Sequence, residues 1–185
     1  MFYSCAETRD SGVYWKENLT GIALSCSFRH MVRTRTSWMI GIMEASGNMP
    51  TKIDDFVGHW RIDRRIEDAL GANGQFVGRA SISPDTNTAC NYRETGTLRL
   101  AETSFEAERR YRWIETAPAL LSIFFDDGRF FHSFSLSPKV EATHDCPPDW
   151  YEVRYDFTDW PVWSARWRVT GPRKDYIMKS RYMPE

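Results

Sequence analysis

From residue 55 to the end of the chain, apolar and polar residues alternate in short stretches. Gly, Pro, Asn and Asp separate these stretches at intervals of about 8 to 12 residues, a spacing typical of an antiparallel all-β domain. In such strands successive side chains point to opposite faces, so each stretch has one apolar and one polar face. The pattern predicts about 8 to 10 antiparallel strands in simple sequence order.

Two stretches show a charged residue on the apolar face. The segment from Gly58 to Ile66 places Trp60, Ile62 and Ile66 on one face, together with Arg64. The segment 105–113 likewise places Arg109 among apolar residues, while its other face is fully polar. An arginine that shares its phase with apolar neighbours indicates an interior that is partly polar.

The second half of the chain contains one strong hairpin signal and one predicted loop. Asp127-Gly128 stands between two apolar runs, as in a tight β-hairpin. After it, Phe130, His132, Phe134 and Leu136 are predicted to share a face. The segment 138–149 is rich in Pro and Asp, so we predict a loop there, at the entrance of the fold.

Strands of this number and order can close into a barrel that encloses a space for one small ligand. Closure also removes exposed sheet edges. A β-sandwich is the alternative, but the short hairpin connections favour an antiparallel up-and-down closed barrel.

Composition limits the possible partners. The chain has 24 Lys and Arg against 25 Asp and Glu, and this balance argues against a nucleic-acid partner. Its longest apolar run, 38–43, is far shorter than the ~20 residues of a membrane helix, so no membrane partner is predicted. The cysteines at 5, 26, 90 and 146 form no Cys-x-x-Cys pair, and the N-terminus lacks a secretion signal. A reducing, cytoplasmic location is therefore expected.

The first 48 residues lack a sustained period of 2 or 3.6. We expect residues 1–48 to be an N-terminal extension, either a flexible or loosely helical arm or a mis-assigned start upstream of Met49. Residues 49–185 are predicted to form the barrel domain.

Several segments resemble those of a known class of barrels. Gly58-His59-Trp60 matches the Gly-x-Trp of the first strand in calycins, the lipocalin-like barrels. Together with Tyr92-Arg93-Glu94-Thr95-Gly96, the segment 127–132, the segment 144–151 and Gly171-Pro172-Arg173-Lys174-Asp175-Tyr176, it resembles an uncharacterised bacterial family of lipocalin-like domains over about residues 50–183. The resemblance implies a barrel and a cytoplasmic bacterial protein, and it implies no activity.

Too many polar residues share phase with apolar neighbours for a dry core. The predicted ligand-binding set is Arg64, Tyr92, Glu94, Arg109, Tyr111, His132, Tyr151, Lys174 and Tyr176, with Tyr155 and Tyr182 nearby in phase. An unpaired buried charge costs about 3 to 5 kcal/mol, so each needs a counter-ion, water or ligand. Because Glu94 is the one acid with a clear inward phase, we expect excess positive charge and a small, anionic, partly apolar or aromatic ligand. Alternatively, Arg64 and Glu94 brace two strands and the barrel is a filled interaction module.

An enzyme is the alternative function. In a cofactor-independent lyase, decarboxylase or isomerase, Arg64 or Arg109 would anchor a carboxylate while Glu94, His132 or a tyrosine moves a proton. His132 and His144 could hold zinc, iron or haem, but His-x-Cys at 144–146 matches no standard ligand spacing, so no metal and no cofactor are predicted. The sequence sets no oligomeric state.

Overall fold

Ten antiparallel strands form a single sheet in residues 49–185, the part of the chain that the computed structural model describes. The strands are β1 (Gly58–Asp68), β2 (Gly74–Thr86), β3 (Ala89–Leu100), β4 (Thr103–Ala117), β5 (Leu120–Phe125), β6 (Phe130–Ser135), β7 (Lys139–Cys146), β8 (Asp149–Asp156), β9 (Trp163–Gly171) and β10 (Lys174–Pro184). A short 3-10 helix, Ile53–Phe56, precedes β1. The expectations for residues 1–48 and for a start at Met49 lie outside the described residues.

The strands follow one another in up-and-down order. Each pairs with its sequence neighbours, except that β6 and β7 form the two ends of the sheet. The first and last strands pair along nine register positions, from Trp60 with Pro184 to Asp68 with Tyr176. The sheet therefore curls into a nearly closed barrel whose opening lies between β6 and β7, which confirms the predicted all-β, lipocalin-like class.

The predicted loop at 138–149 is wrong for most of its length. Residues 139–146 form β7, which pairs in register with β8 from Lys139 opposite Asp156 to Cys146 opposite Asp149. Its inward positions are small or polar, and prolines stand on both sides, so the alternation is weakly hydrophobic. A tight turn at Pro147 and Pro148 replaces the expected long loop.

A bulge in β6 changes which ring points inward. Ile123 pairs with His132 and Phe124 pairs with Phe130, so Phe131 is an extra residue in β6. As a result, Phe130 is 52% exposed while Phe131 is buried. His132, Phe134 and Leu136 do share the inward face, as their spacing predicts.

Aromatic rings fill the end of the barrel where β1 begins. Phe56, from the 3-10 helix, is fully buried, and its ring centroid lies 5.4 Å from that of Trp113 and 5.0 Å from that of Trp160. The indole N–H of Trp60 donates to the Phe56 carbonyl at 2.9 Å. The helix thus closes this end, which we call the closed end, with an apolar plug.

Two glycines allow β2 and β3 to approach closely. Gly78 and Gly96 are register partners, and a Cβ on Gly96 would lie 2.4 Å from the Val77 carbonyl oxygen and 2.5 Å from the Gly78 Cα. The Phe76 ring lies over both glycines, as aromatic side chains do where glycines bend a sheet. This same ring lies 4.9 Å from the Arg64 guanidinium.

We expect Gly96→Ala to lower the free energy of unfolding by about 1–3 kcal/mol, because backbone atoms would have to move to admit the methyl group. Gly71→Ala is the matched control, since its Cβ would meet only the Asp68 side chain at 3.1 Å and beyond. Urea unfolding of both variants measures the difference. Equal stability of the two variants would contradict this packing argument.

Candidate functional site

The barrel interior contains a fully buried ion pair. Arg64 on β1 donates from Nη1 to Glu94 Oε1 at 2.6 Å and from Nη2 to Glu94 Oε2 at 2.8 Å. Arg64 is 4% exposed and Glu94 is 3% exposed. β2 lies between them and presents Gly78 and Ala80 inward, and these small residues leave room for the two side chains to meet. The bidentate geometry is the strongest that an arginine and a carboxylate can form.

Neighbouring hydroxyl groups complete this pair. Arg64 Nε donates to Ser180 Oγ at 2.8 Å, and the Tyr92 hydroxyl donates to Glu94 Oε2 at 2.6 Å. Burial alone would raise the pKa of Glu94, but Arg64 chiefly, with Arg109 and Tyr92, lowers that pKa to about 2. Glu94 is therefore a permanent carboxylate at neutral pH.

Arg109 lies in the same interior without a close partner. Its Nε is 3.7 Å from Glu94 Oε1, beyond hydrogen-bond distance, and it makes no hydrogen bond to another described residue. Although protein surrounds the guanidinium, 38% of the Arg109 side chain is accessible. That combination is expected of a group that faces a water-accessible hollow.

Tyrosines stand beside Arg109. Tyr111 follows it on the inward face of β4, and Tyr176 on β10 is close enough to affect the pKa of Arg109. Burial, with Tyr151 next in effect, raises the pKa of Tyr176 to about 12. Burial also raises the pKa of Tyr111, so both phenols are neutral hydrogen-bond donors at physiological pH.

A second ion pair lies at the end of the barrel opposite the closed end, which we call the open end. Lys174 Nζ is 2.6 Å from Asp149 Oδ2 and donates to the Tyr151 hydroxyl at 2.8 Å. Asp149 reaches this position because Gly171 has no side chain; a Cβ there would lie 2.0 Å from Asp149 Oδ1. Lys174 is thus neutralised at the rim.

His132 lies in the apolar part of the interior. It is 2% exposed, and its Nε2 is hydrogen-bonded to the Tyr155 hydroxyl at 2.9 Å, whereas Nδ1 has no partner among the described residues. Burial, and then the nearby His144, lower the pKa of His132 to about 3. His144 on β7 is hydrogen-bonded to the backbone of Phe131 and so bridges the opening between β6 and β7.

The structure thus divides the predicted residues into three groups. Arg64, Tyr92 and Glu94 form the central network, Arg109 lies near Tyr111 and Tyr176, and Lys174 and Tyr151 form the rim pair with Asp149. His132 stands apart, since no hydrogen bond or ion pair within residues 49–185 joins it to Glu94. Asp149, the first residue of β8, joins the predicted residues at the rim through its ion pair with Lys174.

The outer face of the sheet carries a groove. This groove of about 770 Å³ runs along β1, β10 and neighbouring segments, and its lining mixes four basic residues with three acidic ones, so it favours neither sign of charge strongly. Within the described residues no three His, Cys, Asp or Glu side chains come together as a metal site. In this region no helix has the length and apolarity to cross a membrane.

Comparison with known proteins finds a matching family and a solved structure with a similar fold. The profile of a family described as "Family of unknown function (DUF6314)" matches residues 56–184. The S-type phycobiliprotein lyase CPES from Guillardia theta is similar in structure, with a TM-score of 0.52 at 9% identity over 71% of this chain and 89% of that one.

Designed barrels are more distant. A de novo fluorescence-activating barrel has a TM-score of 0.39 at 14% identity, over 74% of this chain and all of its own. No curated protein sequence matches the chain. At these identities the likeness shows the fold alone, which the phycobiliprotein lyase shares.

We expect Glu94→Gln to lower the free energy of unfolding by about 3–5 kcal/mol, because it leaves the Arg64 charge buried and unpaired. Glu108→Gln is the control, since Glu108 pairs with Arg93 and Arg110 on the exposed face and should contribute less than about 1 kcal/mol. Urea unfolding near neutral pH measures both. Similar losses in the two variants would contradict the central role of the buried pair.

The stability should fall as acid protonates the unfolded chain. Because the pKa of His132 is about 3 when folded and 6.5 ordinarily, the unfolded state binds more protons between these values. Inside that window, each such histidine lowers the free energy of unfolding by about 1.4 kcal/mol for each pH unit of acidification. We therefore expect His132→Gln to show a shallower loss of stability than wild type between about pH 6 and 5.

Exposed His59 supplies the control for this pH profile, and His59→Gln should keep the wild-type slope. Urea unfolding at several pH values gives the slopes. A wild-type slope in His132→Gln would show that His132 is not held neutral by burial.

Proposed function

We infer the function of this chain from its own interior, because the chain belongs to DUF6314, a family of unknown function. We propose that the barrel binds a small molecule that is anionic and partly apolar or aromatic. The observation that supports this proposal is the position of Arg109, a partly accessible cation inside the barrel with no hydrogen bond to the rest of the described chain.

Arg109 would attract an anion for an electrostatic reason. Glu94 is the shared acid of two arginines, but Arg64 takes both of its oxygens and Tyr92 donates a further hydrogen bond. Arg109 is therefore left with an ion pair to Glu94 at 3.7 Å that includes no hydrogen bond. A guanidinium in this environment favours an anion, because charge-assisted hydrogen bonds are stronger beside the protein than in bulk water.

The surroundings of Arg109 suit a ligand with a ring or an apolar body. Tyr111 stacks with Phe131 at a centroid distance of 5.8 Å, and Phe131 stacks with Trp167 at 5.1 Å. These rings continue from the polar hollow towards the opening between β6 and β7. A ligand held by its acid group at Arg109 would place its apolar part against them.

The lyase, decarboxylase or isomerase alternative needs a group that changes its protonation near neutral pH. Glu94, with a pKa of about 2, and His132, with a pKa of about 3, are both far from that range. Each is also engaged by a structural partner, Arg64 or Tyr155. Binding is therefore the function that the geometry supports best.

Anilinonaphthalene sulfonate, a fluorescent aromatic anion, tests the proposal beside its uncharged analogue N-phenylnaphthylamine. We expect the anion to bind wild-type protein more tightly than the neutral analogue. Arg109→Gln should weaken anion binding by about tenfold or more, because a hydrogen bond to a charged group contributes about 1.5–3 kcal/mol. The neutral analogue should be affected little.

Arg110→Gln is the matched control, since Arg110 neighbours Arg109 on β4 but points outward to Glu108. Fluorescence titration gives the affinities, and far-UV circular dichroism confirms that the variants are folded. Equal anion affinity in Arg109→Gln and Arg110→Gln would overturn the proposed site.

A further inference from the structure

The charges that line the open half of the barrel also limit the charge of the ligand. Resting on the proposed function, we propose that the ligand is a monoanion, a carboxylate on an aromatic or apolar body, and that the site discriminates against a phosphate monoester. The ionised side chains in the interior of residues 49–185 leave one net positive charge, and this charge sets the preference.

Three cations and two anions make up this net charge. Arg64 is neutralised by Glu94 through two hydrogen bonds, and Lys174 is neutralised by Asp149 at 2.6 Å. Arg109 remains, so the described interior carries one net positive charge. A single carboxylate or other monoanion would bring it to zero.

No other group in this region adjusts the count near neutral pH. Burial raises the pKa values of Tyr111, Tyr151 and Tyr176, so these phenols stay uncharged. Burial likewise lowers the pKa values of His132 and His144, which keeps both imidazoles neutral. Within residues 49–185, the interior therefore combines neutral phenols and imidazoles with one surplus cation.

The hydrogen-bond donors of Arg109 and Tyr111 fit a ligand group with two acceptor oxygens. The guanidinium of Arg109 has a planar fork of N–H groups that matches a carboxylate. The hydroxyl of Tyr111, two residues away on the same face of β4, has no hydrogen-bond partner in the described part of the chain and is a further donor. A phosphate monoester would bring a second negative charge that no interior side chain of residues 49–185 compensates, and such a charge is disfavoured away from water.

Naphthoate and naphthyl phosphate have the same ring system and differ in the acid group, so they test the proposal directly. Calorimetric titration at about pH 8 keeps the phosphate doubly charged, since its second pKa is about 6. We expect wild-type protein to bind naphthoate at least about tenfold more tightly than naphthyl phosphate. Equal binding, or tighter binding of the phosphate, would overturn the inference.

Asp149→Asn tests the count itself, because it removes one negative charge from the rim and raises the net charge of the interior in residues 49–185 to two. We expect this variant to bind naphthyl phosphate about tenfold more tightly than wild type does. Asp145→Asn is the control, because it removes the same charge from an exposed position on β7. An unchanged ratio of the two affinities in Asp149→Asn would contradict the proposal.

The double variant Asp149→Asn with Lys174→Gln restores a net charge of one and should restore the wild-type preference for naphthoate. The wild-type comparison alone remains decisive if the variants fold poorly. Failure of both ligands to bind wild type would count against the proposed function. Binding of both with equal affinity would instead leave the proposed function standing and remove only the monoanion inference.

Discussion

The interior of this barrel depends on the bidentate ion pair between Arg64 and Glu94. Charges withdrawn from water are tolerated only when they are paired and hydrogen-bonded. Here Ser180 and Tyr92 satisfy the remaining groups at 2.8 Å and 2.6 Å. These side chains come from β1, β3 and β10. The network therefore joins the first strand to the last, which are neighbours in the sheet.

This network also separates two halves with different chemistry. On one side, Phe56 and the rings around it form an apolar plug, and His132 is held neutral among aromatic side chains. On the other side, Arg109 and the rim pair of Lys174 and Asp149 retain their charges. A water-filled or ligand-filled space is compatible only with the second half. The plug therefore leaves the half that contains Arg109 as the place for the ligand that we propose.

The sequence predicted the architecture better than the arrangement of the site. Alternation identified the inward faces of β1 and β4, and with them the interior positions of Arg64 and Arg109. It did not reveal β7, whose inward residues are weakly apolar, or the bulge that exchanges Phe130 for Phe131. Neither feature follows from a period of 2, because a bulge changes the phase and a prolyl turn hides a short edge strand.

The contacts of the two interior arginines do not follow from pairing between neighbouring strands alone. Glu94 and Arg109 are direct register partners on β3 and β4, so neighbouring-strand pairing alone would join them. The carboxylate instead binds Arg64 from across β2, because Gly78 and Ala80 leave the space between them empty. One acid cannot give two arginines the same bidentate contact. Two small residues on an intervening strand therefore determine which arginine takes the bidentate contact, and they leave the other with the longer, 3.7 Å pair.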